Sequence, residues 1–109
     1  MGLTTSFWLD ALKWRAESAF AALYVIRRGD ETAGAVLVKV VKPSGECVLY
    51  VPQRDETGER LWVVWKTAAD EAEIDAYCER RAEDDPDLWI IAIEDREGRH
   101  FLEEPVEEV

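Results

Sequence analysis

The chain is poor in the residues that carry nucleophilic chemistry: it has one histidine, two cysteines and three serines. A serine or cysteine nucleophile works beside a base. The one histidine, His100, falls next to an expected hairpin turn, and Ser6, Ser18 and Ser44 occur in no nucleophile-elbow sequence. Cys47 and Cys78 lie far apart in the chain and match no metal-binding or redox spacing. Their expected places, on an alternating strand and on the packed side of a helix, are those of buried, inert thiols. No glycine-rich loop of phosphate-binding spacing occurs. The longest unbroken apolar run, Ala19 to Ile26, falls well short of the roughly 20 residues that span a bilayer. No basic segment followed by an apolar stretch and a small-residue cleavage site marks the N-terminus. These absences lead to the expectation of a cytoplasmic protein with no membrane partner, no cofactor and no evident catalytic centre.

Positive charge is also scarce, and unevenly so. Residues 1–69 hold nine basic and eight acidic side chains, whereas residues 70–109 hold four basic and sixteen acidic ones. The C-terminal third therefore carries a balance of −12 in a chain whose net charge is −11. Its field repels nucleic-acid phosphates and favours basic partners, so no nucleic-acid partner is expected. Solubility is the plainer use of such acidity in a domain with five tryptophans.

The 109 residues suffice for one domain with its own core. Phe7 to about Glu17 reads as an amphipathic helix burying Trp8, Ala11 and Leu12, with Phe7 and Trp14 flanking them and Thr5 or Ser6 as cap. Phe20 to Arg28 mixes alanines with Tyr24, Val25 and Ile26; a strand ending before the Gly29-Asp30 turn is the reading taken. Ala35–Val41 and Glu46–Val51 form a hairpin about Pro43-Ser44-Gly45, ending or becoming an edge at Pro52. After a polar loop over 53–60, Leu61–Lys66 is the next strand, with Trp62 and Trp65 on opposite faces. A second helix is expected over Ala68–Ala82, capped by Thr67 and stopped by Pro86. Leu88–Asp95 is apolar on both faces and so expected at the centre of its sheet. A short strand over Arg99–Leu102 and a mobile acidic tail over 103–109 complete the chain. The fold class is α+β, with a mainly antiparallel sheet of five to six strands, two helices mostly on one face, and the order α-β-β-β-β-α-β-β.

Three segments, Trp8-x-x-Ala11-Leu12, Arg27-Arg28-Gly29-Asp30-x-x-Ala33-Gly34 and Asp85-Pro86-Asp87-Leu88-Trp89, together resemble a family of small bacterial proteins, domain of unknown function 1491. The resemblance runs from Phe7 to about Asp95. It implies a single domain and a cytoplasmic address, and it brings no functional residues with it.

Two site hypotheses follow from the residues. Indoles favour interfaces because they bury large area while their N–H tolerates a wet rim. Trp62, Trp65 and Trp89 are accordingly the candidate partner-binding residues. Asp84, Asp85 and Asp87 sit where a helix C-terminus disfavours anions, and they are the candidate ligands for Mg²⁺ or Ca²⁺. A turn about Pro86 explains the same carboxylates without a metal. Arg27 and Arg28 could hold an anion, but neighbouring strand residues diverge. The leading expectation is a non-catalytic domain that binds a protein partner or itself, through a tryptophan-bearing sheet face or an unpaired edge strand. The alternatives are a carboxylate-based, metal-assisted enzyme and an acidic mimic that occupies a nucleic-acid-binding protein.

Overall fold

Helix α1 spans Thr5–Ser18 and ends because Phe20 turns into the left-handed region, at φ 67°. The amides of Phe20 and Ala21 then return to the carbonyls of Glu17 and Ala16, closing a Schellman motif. This stop resolves the ambiguous alanine-rich stretch, and strand β1 follows at Ala22–Arg27. The N-cap of α1 is Thr4, whose hydroxyl accepts from the Phe7 amide, rather than Thr5 or Ser6. Thr5 is buried and its hydroxyl donates to the Gly34 carbonyl. The computed structural model describes residues 3–66 and 70–107.

Strands β2 (Val36–Val41), β3 (Cys47–Arg54) and β4 (Arg60–Val64) form an antiparallel meander. Strand β3 continues through Pro52, but its pairing with β2 ends at Tyr50, so Pro52 lies where only β4 adjoins it. The loop expected over 53–60 shrinks to a turn organised by Asp55, whose carboxylate accepts from the amides of Thr57 and Glu59. Helix α2, Glu71–Asp84, carries the chain back across the sheet. Its N-cap is Asp70, accepting from the Glu73 amide; the cap expected at Thr67 lies outside the described residues. Strand β5, Trp89–Glu94, then enters between β1 and β2, antiparallel to the first and parallel to the second. The last strand, β6, is Val106–Glu107 and runs parallel to β4.

The sheet order is β1-β5-β2-β3-β4-β6, and the element order is the one expected from the sequence. The sheet is mixed, with three antiparallel and two parallel pairings among the described residues. The helices do not share one face. Trp8, Leu12 and Ala16 of α1 pack with Val36, Val38, Ile91 and Ile93 on one side. Ile74 and Cys78 of α2 pack with Leu37, Leu49 and Ile90 on the other. Central strands that are apolar on both faces need cover on each, which a single helical layer cannot supply.

Lys39 lies in the α2 layer, with its ammonium donating to Glu71 at 2.9 Å and Asp75 at 2.8 Å. Burial lowers the tendency of Lys39 to stay charged, but the bonds and field of Asp75 and Glu71 outweigh it, and its pKa ends above 10.5.

No strand forms over Arg99–Leu102. Asp95 instead gathers the amides of Glu97 and Arg99 and the Arg99 guanidinium, and Phe101 adopts φ 60°. The sheet extends into the segment expected to be a tail. There Pro105 accepts from the Trp62 amide, and Glu104 accepts from two indoles.

Candidate interaction surface

Two of the three segments behind the family resemblance, Arg27–Gly34 and Asp85–Trp89, meet to build structure. The Asp30 amide donates to the Asp87 carbonyl, and the Trp89 indole N–H donates back to the Asp30 carbonyl at 2.7 Å. Gly29 and Gly34 lie so close to Asp87 that a Cβ at either position would collide with its carbonyl oxygen. Arg28 lies over the Trp89 ring at 5.4 Å and also pairs with Glu31, while Arg27 donates to the Pro86 carbonyl. These residues lock the loop after β1 to the turn before β5.

The indoles expected at a partner surface are occupied. Trp62 is 1 % exposed and Trp89 is 3 % exposed. Trp62 stacks on Trp8 at 5.6 Å, and both ring N–H groups donate to the Glu104 carboxylate, at 3.0 and 3.1 Å. Burial pushes the Glu104 carboxyl up, but the two indole bonds, together with the field of Arg60, bring it below the usual glutamate value. An open groove of about 800 Å³ runs beside β6, where Trp8, Glu104 and Arg60 already engage one another. Trp65 is half-buried and stacks on Tyr77 of α2 at 4.2 Å. The exposed indole is Trp14, a flanking residue of α1.

The carboxylates around Pro86 do not converge either. Asp85 closes a turn by accepting from the Asp87 amide at 3.0 Å, while Asp84 and Asp87 are exposed. Among the described residues, no three His, Cys, Asp or Glu side chains are grouped to hold a metal ion.

His100 and the thiols sit in different layers. The His100 ring meets Tyr50, a member of the α1-side core, and its Nδ1 accepts from the Leu102 amide. Burial lowers its pKa. Cys47 and Cys78 are in the α2-side core, where burial pushes both thiols up to about 11. The sheet therefore separates the one histidine from both cysteines.

What the sequence reading missed is the outer edge of β1. Among the described residues, the large hydrophobic side chains more than half exposed are Leu3, Phe7, Trp14, Phe20, Tyr24, Val25 and Ile26, all within the first 26 positions. Phe20 is 97 % exposed, in the helix-stop position where glycine is usual. Tyr24, Val25 and Ile26 follow on a strand that, among the described residues, is paired on one side only. The sequence shows this apolar run but not its edge position, which depends on β5 inserting between β1 and β2.

A family profile described as "Protein of unknown function (DUF1491)" matches residues 3–103. The chain belongs to the DUF1491 family. A crystal structure of a DUF1491 protein from Caulobacter crescentus superposes with a TM-score of 0.93 at 48 % identity, covering 97 % of this chain and 100 % of that one. An NMR structure of a DUF1491 protein from the same organism gives 0.90 at 48 % identity, with 98 % of each chain covered. The solution structure of protein Atu0922 from A. tumefaciens gives 0.82 at 28 % identity, again with 98 % of each chain covered. No curated protein matches the chain significantly. The DUF1491 description assigns no activity, and no helix among the described residues is long and apolar enough to cross a membrane.

Proposed function

We propose that this DUF1491 chain is a non-catalytic protein-interaction domain whose contact surface is the free edge of β1 together with Phe20. The observation that carries the reading is Phe20 itself. A left-handed backbone costs an L-residue about 1–2 kcal/mol, and a fully exposed phenyl ring recovers none of it by burial. A residue placed against both local preferences is a sign of use elsewhere. The adjoining strand supports the same reading. Sheet edges are ordinarily shortened, charged or covered, because their free N–H and C=O groups recruit other strands. The six residues of β1 carry three large exposed side chains in succession instead. A cytoplasmic setting belongs to this reading, since both buried cysteines are free thiols, as reducing compartments keep them.

Photo-crosslinking tests it. Benzoylphenylalanine replacing Val25 in the native cells is expected to give discrete protein adducts, and the same group replacing the exposed Gln53 is expected to give none. Equal labelling from both positions, or none from either, would refute the interaction reading.

A further inference from the structure

We infer that the occupant of this edge is a second copy of the same chain, paired β1 to β1 and antiparallel about Tyr24, so that two six-stranded sheets become one. This rests on the interaction reading above and adds the identity of the partner.

Charge argues first for a like partner. Residues 3–28 hold four basic and two acidic side chains, close to neutral in a chain of net charge −11. Three of the four basic groups are already engaged within the molecule: Arg15 with Glu103 and the Phe101 carbonyl, Arg27 with the Pro86 carbonyl, and Arg28 with Glu31. The edge thus presents apolar side chains and backbone, with little charge to select an unlike protein. The acidic β6 edge lies five strands away, about 24 Å at ordinary strand spacing. That is several times the screening length of about 8 Å at physiological ionic strength. Joining at β1 sends the two β6 edges to the far ends of the combined sheet, so the strongest like charges do not meet. Pairing through β6 would bring them together.

Register argues second. Leu23 pairs with Ile93, and Val25 with Ile91, both in the core on the α1 side, so Leu23 and Val25 share that face. Ala22 and Tyr24 take the opposite face. A continuous sheet keeps its faces only if like-facing residues meet, because a one-residue slip exchanges them. Centring on Tyr24 satisfies this, with Tyr24 opposite Tyr24 and Leu23 opposite Val25. Such a twofold contact is self-complementary. The irregularity between Val25 and Arg27, where the two residues oppose the consecutive Ile91 and Ile90, ends the regular run. The join is therefore short, and Phe20 stands just before it.

The test uses the whole chain. Light scattering on a chromatographic column is expected to give twice the 12.5 kDa chain mass at micromolar concentration. Tyr24→Lys and Val25→Lys, both at exposed positions, are each expected to raise the dimer dissociation constant more than tenfold while far-UV dichroism stays unchanged. Tyr24→Cys is expected to form an interchain disulfide under mild oxidant, and Glu107→Cys at the other edge is not. The native thiols are buried and add little background. A strictly monomeric protein that forms no such disulfide overturns self-pairing. So does a dimer indifferent to both lysine substitutions. If, in either case, the photo-crosslinker at position 25 still captures another protein, the interaction reading survives and only the partner is wrong. If it captures nothing, both fall.

Discussion

The two edges of this sheet are built on opposite plans. At one, β6 is two residues long, ends in Glu107, and is held by the bonds of Glu104 and Pro105 to the tryptophan layer. At the other, β1 is six residues long and exposes Tyr24, Val25 and Ile26 beside Phe20. The first has the features by which proteins protect an edge; the second has almost none of them beyond its irregularity near Arg27. On the interaction reading proposed above, this difference would assign association to the β1 side.

The largest expected effect comes from breaking the defended side. Glu104→Ala leaves two indole donors, Trp8 and Trp62, without their acceptor. At about 1–3 kcal/mol for an unsatisfied buried donor, and with water reaching part of the site, the loss should be about 2–4 kcal/mol. Urea unfolding followed by tryptophan fluorescence measures it. Dimer affinity should be unchanged, because the lesion is at the other edge. A loss of association of the same size would mean the two edges are not independent.

A smaller effect is expected where the chain enters β1. Asp95 holds Arg99 through two bonds, and Arg99 in turn donates to the Ala19 carbonyl, just ahead of the strand. The Arg99 bonds, helped by the amides of Arg99 and Glu97, outweigh burial and lower the Asp95 carboxyl to about 2. A carboxyl depressed in the folded state binds its proton more tightly when unfolded. Its contribution is therefore complete above the unfolded value of about 3.9 and is lost as pH falls toward 2. Arg99 is partly exposed, so the contribution at neutral pH is on the order of 1–2 kcal/mol. Asp95→Asn should remove it, and the stability gap between variant and parent should close between about pH 4 and pH 2. A gap constant over that range would show that the aspartate acts by something other than its charge.

The centre of the sheet was legible in the sequence, and what lies at its two edges was not. The two-faced strand around Ile91 announced a central position, and Ala35–Val41 was legible as a strand and as one arm of a hairpin. The sequence did not show that β5 would come to lie parallel to β2, since that depends on α2 crossing the sheet. This same crossing puts the helices on opposite faces and leaves β1 at an edge. The candidate side chains are placed accordingly. Trp62 and Trp89 look like interface residues by type, yet the layer under α1 absorbs both, and Glu104 satisfies the Trp62 indole from a segment read as a free tail. Asp84, Asp85 and Asp87 look like ligands by number, but the turn uses Asp85 and leaves its neighbours pointing into solvent. Asp87→Ala should accordingly leave the melting temperature unchanged to within error. Mg²⁺, Mn²⁺ and Ca²⁺ should have no effect on either protein. A cation-dependent rise lost in the variant would restore the metal reading.

A small effect at Phe20 sharpens the comparison most, because its two readouts should move in opposite directions. Phe20 closes the Schellman motif in a conformation that costs a side-chain-bearing residue about 1–2 kcal/mol and costs glycine almost nothing. Phe20→Gly removes that cost but gives the unfolded chain more freedom, which offsets part of the gain. The net result should be a domain about 0.5 kcal/mol more stable, read as a higher urea midpoint with an unchanged slope. The same substitution removes a ring that is 97 % exposed beside the open edge, so association should weaken. Gain of stability with loss of association is the signature of a residue kept for contact. If Phe20→Gly instead destabilises the monomer and leaves association untouched, the ring serves the fold, and the asymmetry of the two edges loses its strongest support.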